Sequence, residues 1–277
     1  MPAKLLALDL DGTLLRKDGS IHPLDLAAIA QAQARGIIVT IATGRMYAGT
    51  RPAALAIKAN GPVACVDGSH IMDVRDDSIV HRKAISAELT AHALATFADA
   101  GVATFAFCDD GIVHNAAGDA FARYVATWSP ALRRVDEVAA SLDGGDALAT
   151  LAVGPREQIA AAAAAVSERG GAELFTVQFA VSHSSSEQQG LHALLVRAAG
   201  CSKGTAIAAL GAHHSIAVED IVVVGDWLND VSMFRVAGRS FAMAGCPPEV
   251  AAAATDQLRA VAAQGGGVAE AIARVWP

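Results

Sequence analysis

Near its start the chain reads Leu5-Leu6-Ala7-Leu8-Asp9-Leu10-Asp11-Gly12-Thr13-Leu14-Leu15. Its first residues are apolar on both faces, which is typical of a buried strand in a parallel sheet. Because strand residues two apart point to the same side, Asp9 and Asp11 are expected to converge where this strand ends. In open α/β sheets, ligands bind at that carboxyl end. Two close carboxylates repel each other, so the pair requires a shared proton or a metal cation.

An acidic turn is the simpler interpretation of this pair, and it would require no ligand. An EF-hand calcium loop is a second alternative, but it requires glycine at its sixth position and glutamate at its twelfth. Counted from Asp9, those positions are Leu14 and Ser20. The spacing therefore excludes an EF-hand and leaves the acidic turn open.

The chain has 277 residues, enough for one large domain or two smaller ones. Its apolar fraction is 53% with only 5% aromatic residues, a composition that suits helices packed on a parallel sheet. The net charge of −7 argues against nucleic acid or an anionic membrane as the main partner. An anionic substrate would therefore have to be met by local positive charge.

We expect a cytoplasmic location for the protein. The N-terminus runs directly into the first strand without the charged and apolar regions of a signal peptide. Charged residues or glycine interrupt the apolar stretches well short of a membrane span. The cysteines have no paired spacing and are interpreted as reduced thiols. They are Cys65, Cys108, Cys201 and Cys246.

The order of predicted strands and helices divides the chain into three parts. Residues 1–84 and 199–277 alternate strands and helices, whereas residues 85–198 combine hairpins with helices. The middle part is expected to be an inserted α+β module with an antiparallel sheet. We therefore predict an α/β fold, with a doubly wound parallel-sheet core interrupted by this module. The serine-rich residues 182–190 are predicted to form a mobile loop.

Two further predicted strands of the core also end in polar residues. The strand at 37–42 ends at Thr43, and the strand at 221–225 ends at Asp226. A right-handed crossover makes consecutive strands parallel, so Thr43 is expected at the same sheet edge as Asp9. Asp230 lies four residues after Asp226, on the same face of a helical turn. Four carboxylates at one edge require a cation, and an all-oxygen site favours Mg²⁺ over zinc.

The same edge carries groups that suit an anion. The backbone N–H groups of Thr43-Gly44 and the Thr43 hydroxyl can hold phosphate oxygens, and Lys203 supplies a positive charge. One aspartate can form an aspartyl-phosphate, while its neighbour protonates the leaving oxygen and then activates water. Each residue alone has a simpler explanation, such as a surface lysine or a helix cap. Their combination at one edge predicts phosphoryl transfer.

The ordered motifs resemble those of the haloacid dehalogenase superfamily, and within it the Cof-type phosphatases with a large α/β (type IIB) cap. The resemblance covers essentially the whole chain. The motifs are Asp9-Leu10-Asp11-Gly12-Thr13-Leu14, Thr43-Gly44-Arg45, Lys203-Gly204 and Gly225-Asp226-Trp227-Leu228-Asn229-Asp230.

The resemblance implies a role for each of these positions. Asp9 would be the nucleophile and Asp11 the general acid and base. Magnesium would be bound by Asp9, the Asp11 backbone carbonyl and Asp226, and Asp230 would support either the metal or Lys203. The substrate would be bound by Thr43, Gly44, Arg45, Lys203 and Asn229.

Two positions depart from the family pattern. Trp227 stands where a small or polar residue is usual. It is expected to narrow the site mouth, to pack against the cap or to be a core tryptophan. Asp67-Gly68-Ser69 stands where asparagine, glycine and alanine are common, which puts a substrate contact at Asp67 in doubt.

We expect a magnesium-dependent phosphatase acting on a small phosphorylated metabolite, with a sugar phosphate as one candidate. A phosphomutase that uses the same aspartyl-phosphate is an alternative. A non-catalytic phosphometabolite-binding protein is another, although it would be expected to lack Asp9 or Asp11. The sequence predicts neither the oligomeric state nor the residues that set specificity.

Overall fold

The protein is described here by a computed structural model, which covers residues 3–142, 144–181, 190–261 and 263–277. The chain forms two compact units, one of Met1–His81 with Ser202–Pro277 and one of Arg82–Cys201. The domain boundaries expected after residues 84 and 198 remain a prediction. The predicted mobile loop at 182–190 lies outside the described residues except for its last position.

The first unit contains a five-stranded sheet in which every neighbouring pair is parallel. The strands in spatial order are β14 (Asp256–Val261), β13 (Arg239–Ala244), β12 (Ile221–Gly225), β1 (Leu5–Leu8) and β2 (Ile38–Ile41). β1 is central, since Leu5 pairs with Ile221 on one side and with Ile38 on the other. The predicted parallel α/β core is confirmed.

Both faces of this sheet are covered. All β1 residues are fully buried although alternate residues point to opposite faces. On one face, Leu5 and Ala7 share a core with residues of α6 and α7. The helices of this unit are α1 (Pro23–Ala34), α2 (Tyr47–Ala56), α6 (Lys203–His213), α7 (Val231–Phe234), α8 (Pro248–Ala253) and α9 (Gly267–Val275).

Local sequence explains where two of these helices begin. In α1, Pro23 stands at the first position and the His22 side chain accepts a hydrogen bond from the Leu24 N–H. In α6, Ser202 and Thr205 form a capping box, which places Lys203 in the first turn. By contrast, α2 begins at Tyr47 without a side-chain cap, and Pro52 lies inside this helix.

A small three-stranded sheet in the order β3-β4-β5 follows α2. Its strands are β3 (Val63–Cys65), β4 (His70–Met72) and β5 (Ile79–Arg82). The turn between the antiparallel strands β3 and β4 is a 3-10 segment, Val66–Gly68. Val66 and Asp67 both have φ of 48° there, a left-handed conformation that is costly for residues other than glycine.

The second unit contains a six-stranded sheet in the order β10-β11-β9-β6-β7-β8. The strands are β6 (Ala103–Phe107), β7 (Ile112–His114), β8 (Leu132–Arg134), β9 (Ala149–Pro155), β10 (Leu174–Ala180) and β11 (Leu191–Ala198). α3 (Ala87–Asp99) and α5 (Arg156–Gly170) pack on one face, and α4 (Ala122–Val125) is short. The expected antiparallel pairing holds except between β7 and β8, which are parallel.

Two strands carry no clear sequence signal, β8 and β14. Both lie at a sheet edge, where charged side chains interrupt the apolar alternation that identifies a strand. In the part of the chain that the structure describes, no helix combines the length and the apolar character needed to cross a bilayer.

Candidate active site

Asp9 follows directly after β1, and its backbone N–H donates to the Val224 carbonyl of β12 at 2.9 Å. This bond places Asp9 at the carboxyl end of the central strand. Asp9 is only 5% exposed, whereas the side chain of Asp11 is 57% exposed. The two aspartates therefore lie in different environments, one buried and one facing solvent.

The loop after Asp11 makes room for Asp226, which follows β12. Gly12 has φ of 86°, and a Cβ at this position would lie 2.2 Å from Asp226 Oδ2. The Thr13 hydroxyl donates to Asp226 Oδ1 at 3.2 Å. A glycine at position 12 is required both by the backbone conformation and by the closeness of this carboxylate.

Lys203 is buried between two carboxylates. Its Nζ donates to Asp9 Oδ1 at 2.5 Å and to Asp230 Oδ1 at 2.6 Å, and the residue is 1% exposed. Burial alone would lower the pKa of Lys203, but the charges of Asp230 and Asp9 raise that pKa above its ordinary value. The two neighbouring carboxylates therefore favour the ammonium form of Lys203.

Asp230 links Lys203 to the loop after β12. Its Oδ1 accepts from Lys203, and its Oδ2 accepts from the N–H groups of Asp226 at 2.8 Å and Trp227 at 2.9 Å. A Cβ on Gly225 would lie 2.5 Å from the Asp230 carboxyl carbon, so glycine allows this close approach. Asp230 holds both the lysine and the backbone around Asp226.

Asp9, Asp226 and Asp230 form an acidic cluster, in which one carboxylate oxygen from each lies within 4.8 Å of the others. Burial raises the pKa of the Asp9 carboxyl well above its ordinary value, and the charges of Asp230 and Asp226 add to this while Lys203 opposes it. Burial, again with the Asp230 charge, raises the pKa of Asp226 to about 6. A further positive charge nearby would stabilise the ionised form of both carboxyl groups.

These residues fit a magnesium ion. The donors are oxygens, which suits Mg²⁺, and the single Lys203 ammonium contributes one positive charge against three carboxylates. The Asp226 carboxylate lies close to Gly12, in the loop that follows Asp9. The donor set and its uncompensated charge therefore agree with a divalent cation.

Thr43 and Gly44 follow β2 at the same sheet edge. Thr43 is buried, its N–H donates to the Ala64 carbonyl, and its hydroxyl oxygen accepts from the Arg45 N–H at 3.1 Å. The proton of that hydroxyl is thus left to donate elsewhere. A Cβ on Gly44 would lie 3.5 Å from Asp67 Oδ1, which places the backbone of Gly44 beside a carboxylate.

Asp67 is a site residue that the sequence interpretation did not include. It is 6% exposed, its N–H donates to the Thr43 carbonyl, and its Oδ1 accepts from Asn229 Nδ2 at 2.9 Å. Its charge also raises the pKa of Lys203. The available signal was its position at the end of a buried strand, as for Asp9.

The remaining predicted residues have the following partners. Arg45 forms a two-point ion pair with Asp11, and Asn229 binds Asp67. Trp227 is 58% exposed, so the core-tryptophan alternative is wrong, because the loop held by Asp230 turns this position outward. The structure thus brings Asp9, Lys203, Asp226 and Asp230 together and pairs Asp11 with Arg45.

A family model described as haloacid dehalogenase-like hydrolase matches residues 6–272. An HMP-PP phosphatase of Yersinia pestis (strain Pestoides F) is 26% identical over 258 residues, covering 89% of this chain and 86% of the relative.

Solved structures share the fold. A haloacid dehalogenase-like hydrolase from Bacteroides thetaiotaomicron has a TM-score of 0.85 at 21% identity, covering 99% of this chain and 100% of that one. A sugar phosphatase of HAD subclass IIB has a TM-score of 0.77 at 20% identity, covering 98% of each chain. The predicted fold class and the predicted resemblance to Cof-type hydrolases are confirmed. Because the family model spans nearly the entire chain, the protein belongs to the haloacid dehalogenase-like hydrolase family and is an enzyme.

Proposed function

We propose that this hydrolase is a magnesium-dependent phosphatase that cleaves a small phosphomonoester through an aspartyl-phosphate on Asp9. The observation that carries the proposal is the environment of Asp9. This carboxylate is buried at the end of the central strand, 2.5 Å from the Lys203 ammonium and within the acidic cluster. A buried carboxylate beside a fixed positive charge suits attack on a phosphoryl group.

Magnesium would be held by Asp9, Asp226 and the backbone carbonyl of Asp11. Both oxygens of Asp230 already accept hydrogen bonds, from Lys203 and from two backbone N–H groups. Of the two roles that the resemblance implies for Asp230, we therefore assign the support of Lys203. When bound, the ion would neutralise negative charge on the phosphoryl oxygens.

In the first step, an Asp9 oxygen attacks phosphorus, forming an O–P bond while the P–O bond to the leaving group breaks. Asp11 donates a proton to the leaving oxygen. Lys203, the Thr43 hydroxyl and the Gly44 N–H bind the phosphoryl oxygens. In the second step, water attacks phosphorus and gives a proton to Asp11. Inorganic phosphate is released, and the Asp9 carboxylate is restored.

The relatives support the substrate class. The Yersinia relative is an HMP-PP phosphatase, and one structural neighbour is a sugar phosphatase. We propose a small phosphorylated metabolite as the substrate, with sugar phosphates as a first group to test. A cytoplasmic location fits such a metabolite.

The test is release of inorganic phosphate from a panel of phosphomonoesters with Mg²⁺, with EDTA, and with Asp9→Asn. We expect EDTA and Asp9→Asn each to abolish turnover, while the exposed Asp136→Asn serves as a matched control and keeps activity. Activity that survives both treatments would reject the mechanism. Phosphate transfer to a second hydroxyl without phosphate release would instead indicate a phosphomutase, and binding without turnover would indicate a binding protein.

A further inference from the structure

The carboxylate of Asp11 is held at two points by one arginine. Arg45 Nε donates to Asp11 Oδ2 at 2.7 Å, and Arg45 Nη2 donates to Asp11 Oδ1 at 2.5 Å. Two parallel bonds from the planar guanidinium fix the plane of a carboxylate as well as its distance. The orientation of Asp11 therefore depends on Arg45.

Arg45 is the better anchored partner of this pair. Its N–H donates to the Thr43 hydroxyl oxygen, its carbonyl accepts from the Val66 N–H at 2.9 Å, and its Nη1 donates to the Gly49 carbonyl at 3.4 Å. The Arg45 side chain is 20% exposed, compared with 57% for Asp11. The Arg45 backbone is thus held at the ends of β2 and β3, and its guanidinium is held by the Gly49 carbonyl of α2. Asp11 is the more exposed partner and the one that needs to be held.

We propose that Arg45 is a positioning residue that orients Asp11 for proton transfer to the leaving oxygen. The inference rests on the proposed function, and it replaces direct substrate binding as the main task of Arg45. A general acid acts only when it lies within hydrogen-bond reach in the correct direction. Misplacement by about 1 Å can cost roughly 10²-fold in rate.

Leaving groups of different quality separate positioning from substrate binding. An ester of an aliphatic alcohol needs a proton on its leaving oxygen. p-Nitrophenyl phosphate has a good leaving group, so its cleavage depends little on general-acid catalysis. Loss of phosphate binding would lower kcat/KM by the same factor on both esters. Loss of Asp11 positioning would affect the aliphatic ester far more. The ratio kcat/KM reports this because it includes steps only up to formation of the aspartyl-phosphate.

The experiment compares wild type, Arg45→Ala and Arg45→Lys on p-nitrophenyl phosphate and on an aliphatic phosphomonoester, with saturating Mg²⁺. We expect kcat/KM on the aliphatic ester to fall about 10- to 100-fold more than on the aryl ester. Arg45→Lys should show the same selective loss, because lysine keeps the charge but lacks the two-point fork.

Controls address folding and charge. Arg51→Ala removes a second arginine that binds an aspartate, Asp77, at two points outside the site, and it should leave both kcat/KM values unchanged. Circular dichroism and thermal unfolding should show that Arg45→Ala folds like wild type. In an Asp11→Asn background, Arg45→Ala should add little further loss of kcat/KM on the aliphatic ester, since the group that Arg45 positions is already gone.

Equal losses on the two esters, rescue by Arg45→Lys, or an additive effect in the Asp11→Asn background would each overturn the inference. A gain in rate on the aliphatic ester would also overturn it, because it would mean that Arg45 holds Asp11 back. If wild type released phosphate from neither ester, nor from any member of the wider panel, the proposed function itself would fail, and the inference with it.

Discussion

The Lys203 ammonium and its two aspartates form a buried ion network whose charge is not balanced within itself. One positive charge meets Asp9 and Asp230, and all three side chains are nearly inaccessible to water. Removing one partner from such a network leaves the others buried without compensation, which costs far more than loss of a surface pair. The site is therefore also a determinant of stability.

Lys203→Met tests this directly. We expect a loss of about 3–5 kcal/mol in the free energy of unfolding, measured by urea denaturation without metal, and loss of phosphatase activity. Lys4→Met removes a surface ion pair with Asp220 and should change the free energy by less than about 1 kcal/mol. Equal stability of Lys203→Met and wild type would contradict the view that the two buried carboxylates depend on this ammonium.

The pKa of Asp226 predicts how the metal-free protein responds to pH. This pKa is raised to about 6 in the folded state, above an unfolded value of about 4. Between these values the folded state binds more protons, so this carboxyl contributes stability at low pH that is lost as pH rises through about 6. The raised pKa of Asp9 acts in the same direction.

Thermal unfolding with EDTA should therefore show a smaller fall in Tm from pH 5 to pH 7.5 for Asp226→Asn than for wild type. Added Mg²⁺ should raise the Tm of wild type more at pH 7.5 than at pH 5, because metal and protons compete for the same carboxylates. An unchanged pH dependence in Asp226→Asn would contradict the first expectation. An equal rise in the Tm of wild type with Mg²⁺ at both pH values would contradict the second.

At the level of secondary-structure elements, the loop after β1 lies in close contact with the loop after β12. The left-handed Gly12 lies under the Asp226 carboxylate, and Thr13 donates to the same carboxylate. These contacts join the ends of two neighbouring strands. The geometry of the acidic cluster thus depends on glycine at position 12.

Gly12→Ala should reduce activity and stability more than Gly19→Ala does. Both glycines have positive φ, so both substitutions share a backbone cost of about 1–2 kcal/mol. Only at position 12 would the new Cβ meet Asp226, whereas at position 19 nothing lies within 4 Å. Activity assays and urea denaturation of the pair isolate this contact, and equal effects would show that Asp226 moves aside freely.

On the scale of the whole molecule, the first unit is assembled from both ends of the chain. β1 and β2 come from the N-terminal segment, and β12, β13 and β14 come from the C-terminal segment. The second unit is one continuous segment, Arg82–Cys201, with its own six-stranded sheet and core. The two units therefore differ in how much of the chain each needs in order to fold.

A fragment of residues 82–201 should fold by itself, with a cooperative urea transition and mixed α/β circular dichroism. A fragment of residues 1–81 should remain unfolded, because it lacks three of the five strands of its sheet. A non-cooperative transition of the 82–201 fragment would show that its core needs the rest of the chain.

The sequence by itself determined the parallel core and the strand ends that carry Asp9, Thr43 and Asp226. Apolar strand runs, helix caps and glycines act over a few residues, so they can be recognised along the chain. Edge strands such as β8 and β14 were missed because they depend on their neighbours for pairing.

Only the tertiary structure decided which side chains meet. Lys203 and Asp9 are 194 positions apart, yet they are in contact. The pairing of Arg45 with Asp11, the place of Asp67 beside Asn229 and the outward position of Trp227 likewise follow from packing between distant segments. Local patterns determine where a strand ends, but the direction and partner of each side chain depend on elements brought together by folding.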